Sequence, residues 1–387
     1  MTALARLQKL SLSAAIAALG VLGLGCVMTP ARGFTALLTG SLFVLGLSVG
    51  GLVLWSLHTV ANAGWHVVIK RVWEGFAAAL LVGAALLLVA VGPGMQVLYE
   101  WARPEAAHDH LLHLKAAYLN APFFFARLAV ILGLWFLFAV KIRRLSLAQD
   151  AATSEAQAVA YTRKAVGHAA VFLVVGAITI CVAAFDWLMS LEAHWFSTIF
   201  GLYNIAGILA STVTATIVAA VLLKQAGLLP QLTDKHLHDL GKLMFGFSTF
   251  WAYMWISQFL LIWYSNLPEE TQYFEARWLG GWMPLFILVP LLNWVVPFFS
   301  LLPRKAKHSP RHLLIVGGVL LLGRWLDLWL MAAPSNLPER PMFGVFELAG
   351  IVGPVALFVF AVSRTFGRVP LLAARDPYLV ESLHHHG

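Results

Sequence analysis

The chain sets ionisable side chains inside apolar runs, and these are the residues from which chemistry could be built. Arg127, Asp186, Asp327 and Glu347 fall toward one end of their runs, Arg324 near the middle, and His58, Glu74, His168 and Asp239 toward the other end. A charge at membrane depth costs at least ~2.5 kcal/mol on insertion scales, so each needs a partner or a task. Carboxylates and imidazoles in such a setting accept and relay protons. Fully paired, the same groups simply hold helices together. Arg324 and Asp327 are three residues apart, share a helix face and can neutralise one another. Asp186 has no basic neighbour in its own run, so its partner must come from another, with Arg127 and Arg324 the candidates. Asp186, with His194 at the exit and Arg324 and Asp327 behind, is therefore the candidate outer proton site, and His58, Glu74, Arg127, His168, Asp239 and Glu347 supply a candidate path.

Other chemistries lack their ligands. A haem spanning the membrane needs histidines facing each other from two helices. None of the 14 histidines lies near the centre of an apolar run, although His58 and His168 could meet at one end. Cys26 and Cys181 are the only cysteines, too few for an iron–sulfur cluster or a four-thiolate zinc site. His384, His385 and His386 form a weak metal-binding triple or a disordered tail.

The elements that must position these residues follow from composition. The 387 residues are 60% hydrophobic and 11% charged, where a soluble domain carries about a quarter charged. This excludes an ordinary soluble protein and leaves no room for a soluble catalytic domain. Apolar runs at 10–29, 35–58, 75–97, 121–142, 165–190, 196–223, 242–265, 279–302, 312–333 and 344–366 predict an all-α, polytopic membrane protein with ten transmembrane helices in one integral membrane domain, 1–387. The first run has signal-peptide features, with Arg6 and Lys9 before it and Leu24, Gly25 and Cys26 faintly like a lipoprotein cleavage box, but is read as a retained span.

The net charge of +8 is a topology signal, not evidence for a nucleic-acid partner. Loops and span ends on one side carry 19 Lys and Arg against 5 on the other, which places both termini in the cytoplasm. Trp101, Trp187, Trp195, Trp263, Tyr264, Trp278 and Trp282 then gather at the outer boundary as an anchoring belt. Two four-helix bundles, 35–190 and 196–333, flanked by helices 10–29 and 344–366, are geometrically allowed, and Pro290 and Pro297 should kink the eighth span.

Three segments carry a resemblance: FDWLMSLEAHWFSTIFGLYNIAG from Phe185 to Gly207, WISQFLLIWYSNLPEETQYF from Trp255 to Phe274, and the tail DPYLVESL from Asp376. Over essentially all ten spans the chain resembles the ActF-like, NrfD (polysulfide-reductase-type) membrane subunits of bacterial alternative complex III, a quinol:cytochrome c oxidoreductase. The resemblance implies two four-helix bundles plus two flanking helices and no redox cofactor bound by this chain alone. It implies haem c and iron–sulfur clusters in partner subunits: an ActC-like sister, an iron–sulfur subunit, cytochrome c subunits and small membrane subunits, all among the lipids of the bacterial cytoplasmic (inner) membrane. Quinol or menaquinol would be the substrate, with the chain contributing to assembly, quinol binding and proton transfer. In this family the quinol site belongs to the ActC-like sister. Two other readings remain: a secondary transporter, which also uses buried charges, and a purely structural anchor for redox subunits.

Overall fold

The computed structural model describes residues 3–385, and no strand occurs among them. Ten helices are long and apolar enough to cross a membrane: α1 (Ala3–Met28), α2 (Pro30–Val60), α3 (Lys70–Val91), α4 (Ala121–Asp150), α5 (Glu155–Trp187), α6 (Phe200–Gln225), α7 (Asp234–Ser265), α8 (Met283–Leu301), α9 (Pro310–Asn336) and α10 (Val345–Phe366). The molecule is thus a multi-pass membrane protein, each helix running antiparallel to the one before. The start of α1 and the end of α10 meet at one end of the helical array, where Gln8 Nε2 donates to the Ser363 carbonyl at 3.1 Å. That end is called the terminal end below.

α2 is buried along almost its whole length, whereas α1 is largely exposed. The sequence of α2 explains its place. It is apolar on nearly every face, and several of its hydroxyls bond back to its own carbonyls, Thr39 to Thr35 at 3.0 Å and Ser48 to Val44 at 2.9 Å, so these need no other partner, whereas the buried Thr35 and Ser56 hydroxyls have no protein partner. Small residues let neighbours close in: a Cβ at Gly40 would collide with the Gly350 carbonyl oxygen of α10. Around α2 pack α3, α5, α6, α9 and α10. α4 lies on α5 and α3, α6 holds α7 and α9, and α1 lies along α10.

The structure corrects the expectations for the start of α2, the aromatic belt and the histidine tail, and gives the interruption of α8 its local form. Residues 30–34 are the first turn of α2, begun by Pro30 with its fixed φ, and only Thr29 separates α1 from α2. The aromatic belt is half interior: Trp263, Tyr264 and Trp278 are exposed, but Trp101, Trp187, Trp195 and Trp282 are buried. Trp195 stacks on Tyr273 with ring centroids 4.0 Å apart. In α8, Pro290 is followed by one π-helical turn, Leu291–Val295, where the buried Asn293 amide satisfies the Val289 carbonyl at 2.9 Å. Of the His384–His386 triple, His385 pairs with Asp239, His384 bonds to its own helix, and His386 lies outside the described residues.

Candidate functional site

At the end opposite the termini, Asp186 closes α5 with no solvent exposure. Arg127 from α4 grips it with two bonds, Nε at 2.7 Å and Nη2 at 3.1 Å, and the Tyr118 hydroxyl donates a third at 2.8 Å. The partner is therefore Arg127 and not Arg324. Arg127 is also held over the Tyr118 and Phe123 rings, 3.8 and 4.3 Å from their centroids. Burial and then the Asp186 charge push the Tyr118 phenol up to about 12, so it remains a donor. Asn120 caps α4 by accepting from the Phe123 amide at 2.9 Å, which fixes the turn that delivers Tyr118.

His194 does not join Asp186. Its Nδ1 meets Glu100 at 3.1 Å and its Nε2 meets Asp109 at 2.8 Å, both from the segment between α3 and α4. Burial by itself would lower this imidazole, but hydrogen bonds to Asp109 and Glu100 outweigh it and hold its pKa above the ordinary value. Asp109 is lowered by the amide of Leu112, whose helix it caps, and by His194. Next to this clamp, Arg277 binds Glu192 at 2.5 Å and lies 3.4 Å over the Tyr273 ring.

Within α9, Arg324 and Asp327 pair at 2.5 Å as their spacing predicts. Asp327 also accepts from the Tyr203 hydroxyl and, at 3.1 Å, from Trp251 Nε1, while Arg324 reaches the Asn204 carboxamide at 3.3 Å. Tyr203, Asn204 and Gly207 lie on one face of α6, and a Cβ at Gly207 would sit 2.5 Å from the Arg324 guanidinium. Glycine there is what admits the cation. Arg324 and Asn204 line a cavity between α2, α4, α5, α6 and α9 whose other walls are apolar or aromatic, including Leu42, Ile208, Trp135 and Trp187. Trp187, the residue after Asp186, is buried and its indole N–H has no protein partner.

The remaining candidates separate. Glu347 is locked bidentately to Arg32 at 2.8 and 2.7 Å, fastening α10 to the first turn of α2, and does not touch the Asp186 or Asp327 networks. At the terminal end, Glu74 is bound by Arg71 at 2.6 Å, Arg143 at 2.8 Å and Ser146 at 2.5 Å. His58 packs against Trp65, His66 and Trp73, whereas His168 turns its Nδ1 to the Lys164 carbonyl of its own helix at 2.8 Å. His58 and His168, whose positions in the sequence allowed them to meet at this end, thus turn to different partners. Asp239 binds Lys242 and His385.

Sequence reasoning missed His66, Tyr118, Tyr203, Asn204 and Trp251. It also missed the tail as a strap: Lys70 binds Asp376 at 2.7 Å, and Ser382 donates to the Trp65 carbonyl at 2.7 Å while accepting from the Val68 amide at 3.2 Å. His66, in that strapped turn, is pushed down to about 3 by burial and by His58. No group of three or more His, Cys, Asp or Glu side chains arranged for a metal occurs among the described residues. No family model matches the chain, and no curated protein matches it significantly.

Proposed function

We propose that the chain is an integral membrane subunit of a quinol:acceptor oxidoreductase of the alternative complex III type, with α2–α5 and α6–α9 as its two four-helix bundles and α1 and α10 as the flanking pair. The helix pairings described above are compatible with that division. The observation that carries the functional reading is the small cavity, about 50 Å³, lined by Arg324, Asn204 and Trp187 in otherwise apolar and aromatic walls. A quinol presents two hydroxyls on a flat apolar ring, and its oxidation releases two protons and two electrons. Hydrogen-bonding groups at the oxygens and a carboxylate within a relay of them are what the protein must supply. Asn204 and Trp187 would bind the head group and Arg324 would orient it, with Asp327 behind Arg324 and Asp186 next to Trp187 as the carboxylates of the relay. Electrons would leave through haem and iron–sulfur partner subunits.

A secondary transporter draws support from the interrupted α8. That fold class uses paired interruptions in corresponding halves, and α4, which corresponds to α8 if the halves align as 2–5 and 6–9, runs unbroken from Ala121 to Asp150. The test is purification of the tagged chain at native expression. Co-purifying c-type haem absorbance and an iron–sulfur protein, with quinol-dependent cytochrome reduction that falls at least tenfold in Arg324→Gln, are expected. A stable, colourless, solitary protein that takes up a solute would overturn the reading.

A further inference from the structure

The segment that delivers Tyr118 to Asp186 also forms one wall of a groove at the end opposite the termini. About 320 Å³ of open space lies between residues 114–119 and the stretch from the end of α5 to Phe196. Phe185, Met189, Trp195 and Phe196 make one side, Leu114 and Tyr118 the other, and the lining is mostly apolar. Leu114 is 70% exposed, and Leu111, Tyr118 and Phe196 are exposed with it. α4 begins only at Ala121 and α5 ends at Trp187, so these four side chains lie past the spans. The short helix His110–Lys115 carries the exposed imidazoles of His110 and His113 among its leucines. An apolar patch rimmed by polar groups marks a docking surface, and the imidazoles suit an aqueous setting better than hydrocarbon.

The lining itself supplies the second observation. Lys115 is half-buried in it, and its Nζ donates to the Ala193 carbonyl at 2.6 Å, with no carboxylate within ion-pair distance among the described residues. Glu100 acts on this ammonium through space, but its carboxylate is already engaged by His194 and by the Ala193 amide. Burial draws the Lys115 pKa below its ordinary value, and Glu100 only partly offsets this. The other Lys and Arg side chains of this end differ. Arg32, Arg127 and Arg277 are paired with Glu347, Asp186 and Glu192, and Arg103 and Arg340 are exposed. A half-buried ammonium without a contacting counter-ion favours an occupant that brings a carboxylate to it, and the apolar lining around it favours one that brings an apolar side chain as well.

We propose that this groove docks a segment of another polypeptide, which sets an Asp or Glu carboxylate on Lys115 and an apolar side chain between Tyr118 and Phe196. Tyr118 lines the groove and its hydroxyl holds Asp186 at 2.8 Å, so the docked segment rests against the residue that completes the Asp186 network. This surface stands apart from the cavity at Arg324 and does not depend on the quinol reading.

The test uses the full chain in its native membranes. A carbodiimide joins an amine to a contacting carboxylate with no spacer, so it should link Lys115 to an Asp or Glu of a different polypeptide, located by mass spectrometry of the linked peptides. Leu114→Glu keeps the amine but spoils the apolar side of the groove, and should lower the yield of that link at least tenfold. Lys115→Glu should lose the same polypeptide on purification, and exchanging the identified carboxylate for Lys should restore it. Variants are compared only as monodisperse protein with the parent's melting point, and Arg340→Gln, an exposed cation of the same end, is a control that should leave the yield unchanged. A Lys115 that stays unlinked or joins only Glu100, a link between two copies of this chain, or a yield indifferent to Leu114→Glu would overturn the proposal. So would phosphatidylglycerol vesicles that shield Lys115 from acylation as fully as the native membrane does, since the occupant would then be lipid.

Discussion

At the scale of the residue, the Asp186–Arg127 pair is asymmetric, and the asymmetry can be measured. Arg127 retains the Tyr118 and Phe123 rings and a partly exposed side chain when Asp186 is removed. Asp186, with no exposure, retains only the Tyr118 hydroxyl when Arg127 is removed. A buried charge left without its counter-ion costs about 3–5 kcal/mol, whereas a cation kept over aromatic rings recovers about 1–2 kcal/mol of that. Arg127→Gln should therefore destabilise the protein more than Asp186→Asn, as read by thermal or detergent unfolding. The reverse order would mean that the rings do not support the guanidinium. The His194 clamp gives a second prediction, in pH. A raised imidazole pKa contributes stability that is fully present below the ordinary value of 6.5 and is lost as pH rises through the raised value. The lowered Asp109 contributes stability that is present above its ordinary 3.8 and is lost as pH falls through the lowered value. The clamp is strongest between those limits. Hydrogen exchange in residues 100–115 should accelerate as pH is raised past neutrality, after correction for intrinsic rates, and His194→Gln should abolish the step. A profile indifferent to that substitution would remove His194 as the cause.

At the scale of the element, the C-terminal strap is a device that the sequence did not reveal. Lys70 is buried, and its charge is met by Asp376, with Gln149 adding a neutral contact at 3.2 Å. Asp376→Asn leaves that ammonium without its counter-charge, and a loss of roughly 3 kcal/mol is expected. Because Ser382 also caps the Val68 amide, the variant should make the turn between α2 and α3 more open to proteolysis. An unchanged melting point and protease pattern would show that the strap is ornamental. The spans themselves were legible because twenty apolar residues bounded by charge, Gly or Pro leave few alternatives, and the Arg324–Asp327 pair was legible because a three-residue spacing fixes it. Tyr203, Asn204 and Gly207 share a helix face by the same arithmetic and could have been grouped. Tyr118, Trp251 and the strap could not, since their contacts join residues far apart in sequence and depend on how helices pack. The aromatic belt failed for a related reason: a tryptophan near a span end satisfies the headgroup layer and a protein interior equally well, and only packing placed Trp101, Trp187, Trp195 and Trp282 inside.

At the scale of the whole molecule, the two ends differ in charge and in what holds them. The terminal end gathers Lys70, Arg71, Arg143, Lys224, Lys242 and Lys307 with the tail strapped across the turn after α2. The opposite end is held by the Asp186, His194 and Glu192 networks, in which carboxylates balance or outnumber cations. Basic residues near span ends resist translocation, and the 19 to 5 division leaves one orientation favoured. The strap reinforces the outcome, because Asp376, Ser382 and His385 reach their partners Lys70, Trp65 and Asp239 only if the tail stays on the side of the α2–α3 turn. A green fluorescent reporter fused after Gly387 should fluoresce and a phosphatase fused at the same point should be inactive, whereas the phosphatase inserted after Gln272, in the short helix Pro268–Trp278, should be active. Asp376→Asn should leave that pattern unchanged, since orientation follows the basic loops and the strap forms only after it is set. Phosphatase activity at the C-terminus would reverse the orientation, and with it the proposed placing of the Asp186 end at the outer face.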